Sequence, residues 1–340
     1  MTEKGEKTDA HCAPSFQVAL AHDTGTAKGG LFGLTDLFAF ANDFAVRRQE
    51  RSSPSPVRVT HWQASESGSS IQCSYDSYPG PPHALDAVIV PNNFLAVADS
   101  APASPLIPWL RLKHAEGCVL AGVCGGVFIL AKTGLLSGRQ ATTHWSLNNE
   151  FSAAFPDVLM DSDHMVIDYG DIMTAGGTMA WADLGLRLIE RFLGAAVMYD
   201  TARYMNIDPP PAREQRFYSG FEPRIRHGDT AILSTQHWLF ANREKALTVA
   251  DMARSAGLEP RTFLRRFVQA TGLKPSDYRR RLRMTRAREM LEFSRTSVEA
   301  IAAAVGFNDV RSFRRIFQGV VGLTPSDYRR RFSRLQRQAE

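Results

Sequence analysis

Cysteine is scarce in this sequence, and the four that occur, Cys12, Cys73, Cys118 and Cys124, show no paired spacing. A disulfide framework or a zinc site needs such pairs, so the sequence predicts neither, and we expect no metal site and no cofactor. Long apolar runs are also missing, since none approaches the ~20 residues that cross a membrane. Residues 1–14 are polar and lack the apolar stretch of a secretory signal. We therefore expect a disordered tail there and a cytoplasmic protein.

Acidic residues are few in the last hundred positions. Residues 241–340 contain 22 Lys and Arg against 10 Asp and Glu, a net charge of +12, whereas residues 1–240 contain 18 against 25, a net charge of −7. Twenty of those 22 basic residues are Arg, whose planar guanidinium suits bidentate contacts to phosphate or guanine. A basic segment beside an acidic remainder indicates a polyanionic partner, although a solvated basic surface would have the same composition.

The basic segment contains an internal repeat. Residues 272–281 (GLKPSDYRRR) recur fifty positions later as residues 322–331 (GLTPSDYRRR). At the same spacing, residues 261–263 (RTF) recur as residues 311–313 (RSF). With only two copies, the repeat does not predict a solenoid.

Each copy predicts a short helix, a glycine turn and a second helix. Thr248 and Ser297 are typical N-cap residues before apolar runs of helical period, and Gly257 and Gly306 stand where those helices should end. The two caps are 49 residues apart rather than fifty, so the second copy has one extra residue, between Gly306 and Phe313. This arrangement is typical of helix-turn-helix units.

The second helix of each copy, predicted at residues 260–271 and 310–320, directs a phenylalanine pair inward and leaves arginines outward. In a DNA major groove, arginine can bind guanine, and small hydroxyl groups can bind phosphate. A merely solvated helix face is the alternative. Between the units, residues 275–293 predict one long helix, which would hold the two DNA-reading helices about one DNA turn, ~34 Å, apart. We predict DNA contacts from Arg261, Thr262, Leu264, Arg265, Val310, Arg311, Ser312, Arg314 and Arg315.

Residues 229–332 resemble the AraC/XylS family of DNA-binding domains. The resemblance lies in residues 260–267 (PRTFLRRF), 305–309 (VGFND) and 322–328 (GLTPSDY). It implies a seven-helix bipartite domain that binds promoters and contacts RNA polymerase.

Upstream of this segment, strand and helix patterns alternate. Such alternation predicts a parallel sheet with helices on both faces and ligands beyond the carboxyl ends of the strands. The predicted strands are residues 16–20, 57–62, 84–90 and 118–123, and the predicted helices are residues 31–45, 105–115, 126–132 and 178–192.

Residues 118–127 (CVLAGVCGGV) combine an apolar strand, a glycine turn and the start of a helix around Cys124. This is the arrangement of a nucleophile elbow, with Cys in place of Ser. A helix N-terminus favours the thiolate form of a cysteine, and His144 follows twenty residues later. A Cys–His pair for nucleophilic chemistry is one interpretation; a buried structural cysteine and a histidine satisfied by its neighbours is the other.

This run resembles the class I glutamine-amidotransferase-like superfamily, specifically its PfpI-type branch, over residues 16–208. The resemblance implies a flavodoxin-like α/β sandwich with Cys124 on the elbow and His144 beside it. Residues 130–139 (LAKTGLLSGR) and 174–177 (TAGG), with Asp183, are similar to the GlxA-like regulators, in which this domain is fused to an AraC domain.

The sequence departs from the enzymes of that superfamily. They carry a carboxylate near the first helix, where this chain has Gly30 and next Asp36, and a glycine after the strand ending at Val90, where this chain has residues 91–93 (PNN). Loss of both groups argues against catalysis, so we expect no catalytic residues. We expect an effector pocket lined by Asn92, Thr143, Cys124, Gly125 and His144.

The sequence therefore predicts a sensor domain at residues 15–208, a proline-rich linker at 209–228 and a DNA-binding domain at 229–335. The predicted function is a homodimeric, ligand-responsive transcriptional activator. The resemblance suggests a nitrogen metabolite, such as an amino acid or a quaternary amine, as effector. A cysteine-dependent amidase or hydrolase with a DNA-binding tail is the alternative. Paired DNA-reading helices disfavour a third possibility, a structural nucleoid protein.

Overall fold

The computed structural model describes residues 16–48, 56–65, 70–80, 84–95, 104–210, 214–245 and 247–333. The tail predicted at residues 1–14 lies outside these ranges, as do a few residues of the predicted linker. The chain divides into two compact units, Met1–Gln215 and Arg216–Glu340, and the division falls inside the segment predicted as a linker.

The first unit alternates strands and helices. Its strands are β1 (Phe16–His22), β2 (Val57–Ala64), β3 (Ile71–Asp76), β4 (Ala87–Val90), β5 (Val119–Val123), β6 (Gln140–Ala141), β7 (Leu159–Met160), β8 (Val166–Asp168) and β9 (Ile172–Ala175). Its helices are α1 (Lys28–Arg48), α2 (Leu106–Ala115), α3 (Gly126–Lys132), α4 (Asn148–Ala154), α5 (Trp181–Leu193) and α6 (Ala195–Tyr204).

Seven of these strands form one mixed sheet in the order β3-β2-β1-β4-β5-β9-β8. The five central strands are parallel, whereas β3 and β8 run antiparallel to their neighbours. The prediction of a wholly parallel sheet is therefore wrong at both edges. The physical reason is connection length: six residues join β2 to β3 and three join β8 to β9, too few for the crossover that a parallel neighbour requires.

Side chains alternate between the two faces of the sheet and fill two cores. On β1, Phe16, Val18 and Leu20 pack in the core shared with α1, α5 and α6, while Ala19 and Ala21 pack in the core shared with α2, α3 and α4. The first unit is thus the predicted flavodoxin-like α/β sandwich, with the carboxyl ends of the parallel strands along one edge.

The described part of the second unit contains seven α-helices, as the sequence resemblance implied. They are α7 (Thr230–Ala241), α8 (Val249–Ser255), α9 (Pro260–Thr271), α10 (Pro275–Phe293), α11 (Val298–Ala304), α12 (Val310–Val321) and α13 (Pro325–Phe332).

The seven helices form two small bundles that share α10. Phe263 and Phe267 pack with Tyr278 of α10 in the first core, and Phe313 and Phe317 pack with residues of α10 and with Tyr328 in the second. Both phenylalanine pairs are fully buried, as the repeat predicted. The long helix predicted at residues 275–293 is the one element common to both bundles.

The turns between paired helices follow from their capping residues. Thr248 forms a capping box with Asp251, and the Ser297 hydroxyl accepts a hydrogen bond from the amide three residues on. Gly257 and Gly306 adopt φ values of 64° and 80°, which glycine adopts without strain. The extra residue of the second copy lies in the turn: α9 begins three residues after Gly257, and α12 begins four residues after Gly306.

Candidate nucleic-acid interface and candidate effector pocket

The second helix of each pair, α9 and α12, is termed the recognition helix here. The residues predicted to contact DNA all lie off the buried phenylalanine face. Six are exposed: Arg261, Leu264, Arg265, Arg311, Arg314 and Arg315. Three are half-buried: Thr262, Val310 and Ser312. Each recognition helix therefore presents a continuous face to solvent, with arginines as its longest side chains.

The arginines of the recognition helices differ in their partners. Arg314 lies 2.9 Å from Glu299, and Arg266 binds Asp229 at 2.7 Å. The other four, Arg261, Arg265, Arg311 and Arg315, form no ion pair within the described ranges. Four guanidinium groups, two on each recognition helix, are thus available to phosphates or base edges.

The N-termini of the two recognition helices also differ. Asp309 caps α12, and its carboxylate accepts hydrogen bonds from the amides of Arg311 at 3.1 Å and Ser312 at 2.9 Å. The interaction with Ser312 lowers the pKa of Asp309. The N-cap residue of α9, Glu259, makes no such side-chain bond. Sequence reasoning missed the Asp309 cap, although an aspartate directly before an amphipathic helix is its usual signal.

Cys124 occupies the sharp turn between β5 and α3. Its φ is 53°, an uncommon backbone conformation for a residue other than glycine, and its amide donates to the carbonyl of Ala175 at 2.8 Å. A methyl group on Gly125 would overlap the carbonyl oxygen of Asn93. Only glycine therefore allows the start of α3 to lie against the loop that follows β4.

The Cys124 thiol is buried, and its burial favours the protonated form. The residue is 6% exposed, and burial raises the pKa of the thiol. Smaller opposing contributions come from hydrogen bonds with the backbone of Gly125, the side chain of Thr178 and the backbone of His144. Burial therefore opposes the thiolate bias that the position before α3 led us to expect.

His144 and Thr143 lie beside the elbow. The Thr143 hydroxyl donates to the carbonyl of Cys124 at 2.7 Å, so it fixes the elbow backbone. His144 is half-buried, and its Nδ1 accepts from the amide of Ser146 at 3.2 Å. Burial lowers the pKa of His144, so the ring is neutral near pH 7. The structure thus brings Cys124, Thr143 and His144 together, with the histidine ring engaged by its own turn.

Asn92 lies in the same region, against α1. It is 1% exposed; its Nδ2 donates to the carbonyl of Thr178 at 3.1 Å, while its Oδ1 has no partner among the described residues. A methyl group on Gly30 would overlap that Oδ1. Asn92 therefore fills the space where a side chain at position 30, which the sequence resemblance aligns with a carboxylate of the enzymes, would lie. Thr178 connects the two parts of the region, because it touches both Asn92 and Cys124.

Gln215, a residue that sequence reasoning missed, forms several hydrogen bonds to the segments on either side of His144. It is 1% exposed. Its Oε1 accepts from the amide of Trp145 at 2.8 Å, and its Nε2 donates to the carbonyls of Thr143 at 3.0 Å and Ser162 at 3.1 Å. A methyl group on Gly176 would overlap this amide group. A single glutamine in a polar segment gives no sequence signal of such burial.

Within the described ranges, no group of three or more His, Cys, Asp or Glu side chains is placed to hold a metal ion. No described helix is long and apolar enough to span a bilayer.

Comparison with known families covers both units. A family described as "Helix-turn-helix domain" matches residues 252–331, and the DJ-1/PfpI family matches residues 68–191. The HTH-type transcriptional regulator ArgR of Pseudomonas aeruginosa is 31% identical over 216 residues, which are 62% of this chain and 65% of that protein. The HTH-type transcriptional regulator GlxA of Rhizobium meliloti is 32% identical over 205 residues, which are 58% of this chain and 61% of that protein.

One relative is named for an enzymatic activity. Isonitrile hydratase of Pseudomonas putida is 29% identical over 136 residues, which are 40% of this chain and 56% of that protein. In each of these three comparisons the chain spans less than two thirds of the length of its relative.

Proposed function

We propose that this chain, which matches the DJ-1/PfpI family over residues 68–191 and a helix-turn-helix family over residues 252–331, is a sequence-specific DNA-binding transcriptional regulator that acts as an activator. The observation that carries the proposal is the pair of recognition helices, each with two exposed arginines that have no ion partner within the described ranges. Repetition of this surface on two similar helices is what two successive major grooves require.

Base edges and phosphates would be read by different parts of each recognition helix. Arg265 and Arg315 lie at equivalent positions of the repeat, one turn beyond Arg261 and Arg311, and their guanidinium groups suit guanine O6 and N7. The amides at the start of α9, which no side chain caps, suit a DNA phosphate. The hydroxyl groups of Thr262 and Ser312 suit contacts to the sugar-phosphate backbone of DNA.

The test is selection of bound genomic fragments by the full-length protein, followed by affinity measurements on the enriched sequence. Arg265→Ala and Arg315→Ala should each cost ~1–3 kcal/mol of binding free energy and relax preference at one base position. Arg286→Ala is the matched control, since Arg286 is a partly exposed arginine of α10 paired with Glu289. Equal loss for all three variants, or no enriched sequence, would contradict specific readout.

We propose that the first unit senses a small metabolite and does not catalyse a reaction. The neutral thiol of Cys124, the neutral ring of His144 and the amide of Asn92 in place of a carboxylate favour binding over nucleophilic attack. By resemblance, the effector is a nitrogen metabolite such as an amino acid or a quaternary amine. A thermal-shift screen of such compounds on the full chain identifies it, because a ligand of the folded state raises the melting temperature.

Gln215 supports a connection between this pocket and DNA binding. Its side chain binds Thr143 and Trp145, on either side of His144, and the next residue, Arg216, begins the second unit. Within that unit, the Arg216 carbonyl accepts from Arg288 of α10 at 2.8 Å. A shift of the segment around His144 would therefore act on the residue that leads into the DNA-binding unit. Cys124→Ser should leave DNA binding without effector intact and change the response to effector.

A cysteine hydratase or hydrolase is the second candidate. It is favoured by the positive φ of Cys124 and by the backbone hydrogen bonds to its sulfur. Incubation with an alkyl isonitrile, with detection of the formamide product, tests it. Turnover that disappears in Cys124→Ala would establish this activity and contradict the sensor proposal.

We further propose that the protein is cytoplasmic, contacts RNA polymerase at its promoters and forms a homodimer, since many regulators read paired half-sites. Light scattering of the purified chain measures the oligomeric state. Transcription with purified polymerase tests activation, and cell fractionation tests location.

A further inference from the structure

The second unit contains a cavity of about 270 Å³ between its two bundles. Val249 and Met252 of α8 form one wall, and Ile316 of α12 with Phe307 forms another. The remaining lining residues are Leu247, Ser276, Arg279, Arg280 and Arg283. A cavity of this size is slightly smaller than the ~300–1,000 Å³ of typical ligand pockets, so it suits a small compound.

Two arginines give this cavity an uncompensated positive charge. Arg283 is only 6% exposed, and its guanidinium donates to the carbonyls of Lys245 at 3.0 Å and Arg243 at 3.3 Å. Arg279 donates to the carbonyl of Leu247. All these partners are neutral carbonyls, and no lining residue is acidic. Burial, together with the charge of Arg279, lowers the pKa of Arg283 to about 10, so both groups remain charged at neutral pH.

The packing fixes the buried guanidinium before any ligand arrives. A methyl group on Gly306 would overlap Nη2 of Arg283, so glycine is required for this approach. The Phe307 ring centre lies 5.6 Å from Cζ of the same arginine. Donors held in place in this way lose little conformational freedom when they bind an anion.

We infer that this cavity is a second ligand site, for a small organic anion with an apolar body. A carboxylate or phosphate group would neutralise Arg279 and Arg283, and the apolar body would pack against α8 and α12. The DNA backbone is a poorer match, because a duplex phosphate does not reach an arginine that is 6% exposed. The site is separate from the effector pocket of the first unit and extends the proposed function.

Occupancy would act on DNA binding directly. The cavity walls come from both bundles, so a bound ligand contacts the helix pair α8–α9 through α8 and the recognition helix α12 at once. A ligand that favours one spacing of the two bundles shifts the population toward that spacing.

Isothermal titration of the full-length protein with sodium octanoate tests the site, with octylamine and inorganic phosphate as comparison probes. We expect saturable binding of octanoate, weaker binding of phosphate and none of octylamine. Arg279→Gln should weaken octanoate binding about tenfold or more, the effect of losing one charge-assisted hydrogen bond. Arg286→Gln, on the same helix outside the cavity, should leave it unchanged.

Ile316→Trp, which fills the cavity, is the second variant and tests the site without removing a charge. It should abolish octanoate binding while circular dichroism and the melting temperature remain near those of the parent. Absence of saturable octanoate binding to the parent protein overturns the inference. Octanoate binding that persists in Ile316→Trp also overturns it. Loss of DNA affinity in Arg279→Gln, without octanoate binding to the parent protein, overturns it as well and would assign these arginines to the DNA backbone.

Discussion

Replacement of Gln215 by leucine should destabilise the segment around His144 far more than substitution of an exposed side chain would. Leucine is similar in size but cannot accept from the Trp145 amide or donate to the carbonyls of Thr143 and Ser162. An unsatisfied buried polar group costs ~1–3 kcal/mol, and the carbonyls retain a second lone pair. We therefore expect a loss of about 2–4 kcal/mol in the unfolding free energy of the first unit.

Hydrogen exchange read by mass spectrometry measures this locally in the full chain. Peptides containing Trp145 should exchange faster in Gln215→Leu, whereas peptides from β1 should change less, because the bonds that are lost all lie on residues 142–162. Gln140→Leu is the control, since Gln140 is exposed. Unchanged exchange at Trp145, or equal effects of both substitutions, would refute the assignment of Gln215 as the residue that holds this segment.

Three further predictions concern protonation and packing in the first unit. Burial lowers the pKa of His61 from 6.5 to about 4, so the unfolded chain binds more protons than the folded chain between those pH values. The free energy of unfolding should therefore fall as the pH drops from 6.5 toward 4. Urea titrations at a series of pH values should show a flatter dependence for His61→Gln. Iodoacetamide at pH 7.5 should label the exposed Cys73 well before the buried Cys124, as peptide mass spectrometry can show; equal rates would contradict the buried, protonated thiol. Gly125→Ala should destabilise the first unit, because the added methyl group would overlap the loop after β4. Gly29→Ala, which places a methyl group in open space on α1, should stabilise the unit by ~0.5–1 kcal/mol. Thermal melts compare the two variants, and similar melting temperatures would refute the overlap at Gly125.

The repeat explains why the second unit was the more predictable half. Two copies of one pattern report the same helix boundaries twice, so Gly257 and Gly306 marked both turns, and α9 was predicted with its observed ends. The boundaries also depend on short-range effects, namely N-caps and left-handed glycines, which the local sequence determines.

The first unit depends on long-range pairing, and there the sequence was less informative. The edge strands β3 and β8 are partly exposed, so they lack the buried apolar runs that revealed β4 and β5. The elbow at Cys124 was found from its glycines. Its protonation state was not, because that depends on burial by elements distant in sequence. The same limit applies to Gln215, whose partners are 53 to 73 positions away.

The two recognition helices have equivalent positions in the repeat but carry different side chains at some of them. At the fifty-residue repeat spacing, Leu264 corresponds to Arg314, and Arg266 corresponds to Ile316. If both helices enter successive grooves as proposed, one reads its site with an aliphatic side chain where the other places a cation. On an operator in the reversed orientation, each recognition helix would face the DNA segment that suits the other helix. A single copy of the domain would therefore distinguish upstream from downstream on a promoter, an orientation that a symmetric pair of readers could not encode.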